Sequence, residues 1–167
     1  MTVVDALKAL KQFMIDEVAS TITLQKEGSE PPEYVNPIVA TISLPHKNFI
    51  PVDFQAPNIL IGLETGDEDA EEHTISIRIV CTTYGGNVPL GAEGLPDETG
   101  YLDLLNLIER IKSKLTQKAV IERAGLVEKS FKYGIYDEEI TYPYWYGYIR
   151  FNMQIPIANR QMIEDFI

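Results

Sequence analysis

Apolar residues in the first eighteen positions recur with a helical period. Val3, Leu7, Leu10 and Met14 fall at i, i+4, i+7 and i+11, and Val18 extends the stripe, which predicts an amphipathic helix over residues 2–19. Such a helix either packs on its own sheet or docks a partner, and packing on the sheet is the preferred reading. A second helical stripe, the strongest in the chain, lies in "YLDLLNLIERIKSKL": Leu104, Ile108, Ile111 and Leu115, widened by Leu105. Asp97 or Thr99 is placed to cap its start, and Lys112, Lys114 and Lys118 suit the negative end of its dipole.

Elsewhere the period is two. "IVATISL" alternates Ile38, Ala40, Ile42 and Leu44 against Val39, Thr41 and Ser43, a strand. "NILIGLE" is another. "HTISIRIVCTT" sets Ile75, Ile77, Ile79 and Cys81 against Thr74, Ser76, Arg78 and Thr82, which predicts a half-buried strand. Between these two, "ETGDEDAEEH" (64–73) contains six acids and reads as the tip of a β-hairpin. The stretch 125–156 predicts two strands joined by an acidic turn near Asp137, Glu138 and Glu139. "NRQMIEDFI" closes as a short helix or tail with Asn159 as its cap. A proline-rich segment at about 27–57 interrupts the pattern as a loop or arm, and 85–100 is a long turn-rich loop.

The order α-β-β-β-α-β-β plus a short C-terminal helix gives an α+β fold. It predicts a mostly antiparallel twisted sheet with flanking helices on one face, as one domain over 1–167.

Charge narrows the function. The net charge of -11 opposes non-specific binding to nucleic acid or anionic lipid, both of which need basic surface, and fits a soluble protein or one with a basic protein partner. No apolar run reaches membrane-spanning length, the N-terminus does not read as a signal peptide, and the single cysteine fits a reducing compartment, so synthesis is expected in the cytoplasm.

The chain is poor in catalytic signatures. Gly86 and Gly91 have P-loop spacing, but Ala92 and Glu93 stand where Lys and Ser or Thr are required, and Glu93 would repel phosphate. The acids of 64–73 do not follow the calcium-loop spacing, which favours a solvated tip. Cys81 is expected to be a small core residue. There is no paired-cysteine motif and no histidine pair at ligand spacing, and His46 and His73 are not near Cys81 in sequence. Nothing in the sequence supports an enzyme.

The most unusual stretch is "YPYWYGYIRFNMQIP". From Trp145 it has two faces. Trp145, Gly147, Ile149, Phe151, Met153 and Ile155 form a core face; Tyr144, Tyr146, Tyr148, Arg150, Asn152 and Gln154 form the other. Three tyrosines in succession on a face that should be polar have three readings: cross-strand aromatic pairing, a subunit interface, or base stacking. The last lacks the basic surface that normally accompanies it.

The layout resembles a known class. An amphipathic opening helix, a hairpin with a charged tip, "TISIRIVCTTYGG", the leucine-rich "GYLDLLNLIERIKSKL" and the closing "YWYGYIRFNMQIP" are similar, over roughly residues 2–157, to the phage tail terminator or tail-completion proteins of phages and phage-tail-like bacteriocins. The resemblance implies a hexameric ring on the last ring of the tail tube protein, with the sheath or neck proteins as further partners, and a role that needs no catalysis and no cofactor. It also implies assembly in the host cytoplasm before incorporation into the particle. On that reading Tyr144, Tyr146, Tyr148 and Arg150 are candidate interface residues. Asp67, Glu68, Asp69, Glu71 and Glu72 at the hairpin tip are a second set, expected as an arm that orders on assembly. Two alternatives stay open: a neck adaptor or baseplate component of the same particle, and a small cytoplasmic enzyme or ligand-binding domain with an aromatic pocket near Trp145.

Overall fold

The computed structural model describes residues 2–42, 55–85, 98–122, 124–137 and 142–157. The predicted irregular or edge segment before Gln55, the acids Glu138 and Glu139, the Gly86–Gly91 near miss and the C-terminal helix lie outside the described residues.

Helix α1 (Val3–Phe13) begins with a reciprocal cap. Thr2 Oγ1 accepts the Asp5 backbone N–H at 3.1 Å, and the Asp5 carboxylate accepts the Thr2 N–H at 2.9 Å. The helical path runs on to Thr21, slightly beyond the predicted end, but its pitch changes. A wide π turn spans Met14–Val18 and a tight 3-10 turn spans Ala19–Thr21. The wide turn brings residues four apart closer to vertical alignment, so Met14 and Val18 both stay in the core with Leu10.

The strands are β1 (Leu24–Gln25), β2 (Tyr34–Val35), β3 (Ile38–Thr41), β4 (Asn58–Glu68), β5 (His73–Tyr84), β6 (Val120–Ile121), β7 (Gly125–Val127), β8 (Lys132–Ile135) and β9 (Tyr144–Gln154). β1 and β2 pair antiparallel, joining the start of the proline-rich arm to the residues just before it. The others make one sheet in the order β3-β4-β5-β9-β7-β6, with β8 also paired to β9. The sheet is mixed, with β3 running parallel to β4 while the remaining pairs are antiparallel. β5 is its spine, in register with β4 on one side and with β9 from Thr74↔Gln154 to Tyr84↔Tyr144 on the other.

α1 and α2 (Thr99–Gln117) both cover one face, giving a two-layer α+β fold. Leu104, Leu107, Ile108, Ile111 and Leu115 of α2 meet Ile75, Ile77, Ile79 and Cys81 of β5 and Ile149, Phe151 and Met153 of β9 in one buried cluster. Leu107, not the predicted Leu105, completes the stripe, because it lies three residues after Leu104 on the same face. Lys112 sits over the Tyr133 ring of β8, 3.6 Å from its centroid, and pairs with Glu109 at 2.6 Å, so it serves the sheet as well as the helix end.

The start of α2 departs from expectation. Its cap position is Glu98, which makes no side-chain cap, and Thr99 is already helical; Asp97 lies outside the described residues. Close packing holds this end instead. A Cβ on Gly85 would lie 2.6 Å from the Gly100 nitrogen, and one on Gly100 would lie 2.5 Å from Trp145 Cδ1. Thr83 Oγ1 donates to the Gly100 carbonyl at 2.6 Å, fixing the helix to the end of β5.

Two strand boundaries also differ. The region expected to be one strand before β9 is two, β7 and β8, with extra residues between Val127↔Met153 and Lys132↔Arg150 forming an irregular step. The acidic tip is shorter than predicted, because β4 continues through Glu68. A bulge between Leu63 and Thr65 resets the register, so Gly66 returns opposite Ile75.

Candidate functional site

The register assembles the sheet face opposite the helices row by row. Tyr84 lies opposite Tyr144, and Thr82 opposite Tyr146, whose carbonyl accepts the Tyr136 N–H at 2.9 Å. Val80, Tyr148 and Gly134 form the next row, followed by Gly62, Arg78, Arg150 and Lys132. Ser76 and Asn152 come next, joined by a 2.7 Å side-chain hydrogen bond. Three predicted tyrosines and Arg150 therefore share one surface with Tyr84, Tyr136, Arg78 and Lys132. Sequence reasoning omitted these last four, because only the register of β5, β8 and β9 brings them alongside.

The tyrosines pack on one another. Tyr84 and Tyr144 meet edge to face at 5.3 Å, Tyr144 and Tyr146 stack at 6.4 Å, and Tyr136 and Tyr148 pack at 5.0 Å. Tyr148 also lies over Gly134, where a Cβ would fall 2.9 Å from its hydroxyl oxygen. Tyr144 donates its hydroxyl hydrogen to the Glu27 carboxylate, tying the proline-rich arm to this face. The other Glu27 oxygen accepts the Ala56 N–H at 3.1 Å. Burial and then the Glu27 bond push the Tyr144 phenol well above its ordinary value, and burial raises Tyr146 and Tyr136. All three are neutral hydroxyls at physiological pH.

The basic row is built around one acid. Glu64, beside the bulge, accepts from Arg150 Nε at 2.9 Å and lies 3.6 Å from Arg78 Nη1. Arg150 also covers the Tyr148 ring at 4.9 Å. Arg78 and Arg150 remain 29% and 37% exposed, and Lys132 makes no ion pair among the described residues. Three cations thus stand side by side on adjacent strands against one carboxylate.

The tip acids divide by role. Asp69 Oδ1 accepts the N–H groups of Glu71 and Glu72 at 2.7 and 2.8 Å, and these bonds hold its carboxyl below the usual range. These two bonds close the tip as a turn within the chain. Glu68 lies 3.8 Å from His73 Nδ1. Asp67, Glu71 and Glu72 make no ion pair among the described residues and are exposed.

Other chemistry is thin. Cys81 is fully buried, and burial pushes its thiol up to about 12. The Trp145 ring lies against Gly100, 5.6 Å from Tyr101 and 6.4 Å from Tyr142, with its indole N–H buried and unpaired. A groove of about 640 Å³ runs between α1 and β6, where Asp5, Asp16, Glu17 and Glu122 face Lys8 and Lys118. Among the described residues no cluster of His, Cys, Asp or Glu is arranged for a metal, and no helix is long and apolar enough to cross a membrane. Compared with known proteins, the chain matches no family model and no curated protein at a significant level.

Proposed function

We propose that this chain is a structural protein that caps the end of a phage or phage-like tail tube as a ring, stops its polymerisation and offers a joining surface to the next component. The observation that carries the reading is the sheet face opposite the helices, a continuous band of Tyr84, Tyr136, Tyr144, Tyr146 and Tyr148 ending in Arg78, Arg150 and Lys132. Tyrosine and arginine are the side chains most enriched where protein surfaces meet, since each buries a large area with few torsions to freeze. The mechanism is geometric. Head-to-tail contacts repeat until the ring closes, one rim matches the tube end, and the other lacks the surface that would accept a further tube subunit.

The test is deletion of the gene in its producing strain, with tail lengths measured by negative-stain electron microscopy. Overlong tubes of broad length distribution are expected. Tails of normal length lacking heads or tips would move the protein to the neck or baseplate. Unchanged particles would refute a role in the tail.

A further inference from the structure

Arg78, Arg150 and Lys132 occupy directly opposed positions on β5, β9 and β8, on one face of the sheet. Opposed residues in an antiparallel pair have Cβ atoms about 4.5–5.5 Å apart, and like charges so placed are destabilising. Among the described residues only Glu64 pairs with this row, and it is shared by the two arginines. A chain of net charge -11 thus maintains a local surplus of positive charge at an internal cost. Such a row is stabilised when an external acid arrives.

The same chain presents that acid. Asp67, Glu71 and Glu72 stand exposed at the β4–β5 tip, on a turn already closed by the Asp69 carboxylate. A preformed tip gives up little conformational freedom on docking. It cannot reach its own basic row. His73 and Arg78 are five residues apart on a strand rising about 3.4 Å per residue, so the tip begins roughly 17 Å away and points along the strand, away from the row. The complementary partner is a second copy.

We infer that the acidic β4–β5 tip of one copy docks on the Arg78–Arg150–Lys132 row of the next, as the lateral contact of the assembly. The contact uses two different patches, so it is heterologous and propagates head to tail, as ring closure requires. Opposite charges also steer the approach and reject the wrong register. The inference rests on the ring reading above, and it joins its two candidate surfaces into one interface.

The test complements the deletion strain with full-length charge-reversed variants. Lys132→Glu with Arg150→Glu reverses the row while leaving Arg78 to hold Glu64; Lys132→Glu alone is a milder second version on an exposed side chain. Glu71→Lys with Glu72→Lys reverses the tip and spares Asp69. Circular dichroism melts identify which variants fold. Each reversal alone is expected to lose length control and give overlong tubes, and the combined four-residue variant is expected to restore normal lengths. Folded single reversals with normal tails would overturn this contact while leaving the ring reading intact, and so would a combined variant that stays defective. A deletion strain with normal tails would instead overturn the ring reading and this contact with it. Binding of a single-stranded oligonucleotide by the purified protein, abolished by the row reversal and untouched by the tip reversal, would reassign the row to nucleic acid.

Discussion

Gly100→Ala separates two forces of opposite sign. Gly100 is the second residue of α2, and at an open helical position the change from Gly to Ala stabilises by about 0.5–1 kcal/mol. Here the new methyl group would lie 2.5 and 2.6 Å from Trp145 Cδ1 and Nε1 and 2.9 Å from the Gly85 nitrogen. The indole is confined by Tyr101 and Tyr142, and Gly85 is backbone, so neither yields without moving the helix start. Overpacking of this kind costs about 1–3 kcal/mol, which exceeds the propensity gain. A net loss of about 1–2 kcal/mol corresponds to a fall in Tm of about 2–8 °C for a chain of this size. The assay is thermal unfolding followed by circular dichroism and by the emission of Trp145, the one tryptophan of the chain. The emission of the folded variant should also shift, since the ring must move. An unchanged or higher Tm with unchanged emission would refute the claim that close packing fixes this helix start. Gly85→Ala should cost more, because its Cβ meets only backbone, at 2.6 and 2.8 Å.

Other outcomes follow from the same reasoning. Cys81 should resist thiol reagents in the native protein and react fully in denaturant, because burial both shields the sulfur and raises its pKa to about 12; rapid native labelling would contradict the packing of β5. Glu64→Gln removes the shared counter-ion of the basic row and should cost about 0.5–1 kcal/mol by urea titration, with a smaller loss at high salt; a salt-independent effect would show that charge is not its cause. The Asp5 and Asp69 carboxylates are held below their ordinary values, chiefly by hydrogen bonds from the backbone of Thr2 and of Glu71 respectively. Their stabilisation is therefore complete above the ordinary Asp value and is lost as pH falls through the lowered one, so Asp5→Asn and Asp69→Asn should lower stability at neutral pH, leave it nearly unchanged at low pH, and thereby flatten the acid limb of the stability curve.

The two faces of β5 and β9 were readable in the sequence because a period of two survives wherever one side meets a core. Ile75, Ile77, Ile79 and Cys81, and likewise Gly147, Ile149, Phe151 and Met153, are buried as the alternation requires. The α1 stripe was readable for the same reason, although its passage into a π turn leaves no mark on the apolar pattern. What alternation cannot encode is register. The bulge between Leu63 and Thr65, the parallel pairing of β3 and the step between β7 and β8 depend on the partner strand. The candidate surface was therefore only half legible. Tyr144, Tyr146, Tyr148 and Arg150 share one strand and declare themselves, whereas Arg78 and Lys132 come from strands distant in sequence. The Glu27–Tyr144 bond spans 117 positions and has no local signal. Polar side chains at such places are selected by a partner that the chain order does not reveal.

The spine position of β5 has a consequence for biogenesis. Its partner β4 is next to it in the chain, so that hairpin can nucleate on its own. Its other partner, β9, starts about sixty residues further on, and bringing the two together closes a large loop before any stacking enthalpy is returned. Until β9 emerges from the ribosome, the hairpin lacks the neighbour that supplies Ile149, Phe151 and Met153 to the shared core. The nascent chain thus acquires its native topology late, and prematurely terminated products lacking β9 would be prey for chaperones and proteases. A chain cut before Tyr144 therefore lacks the strand that completes the sheet on the far side of β5.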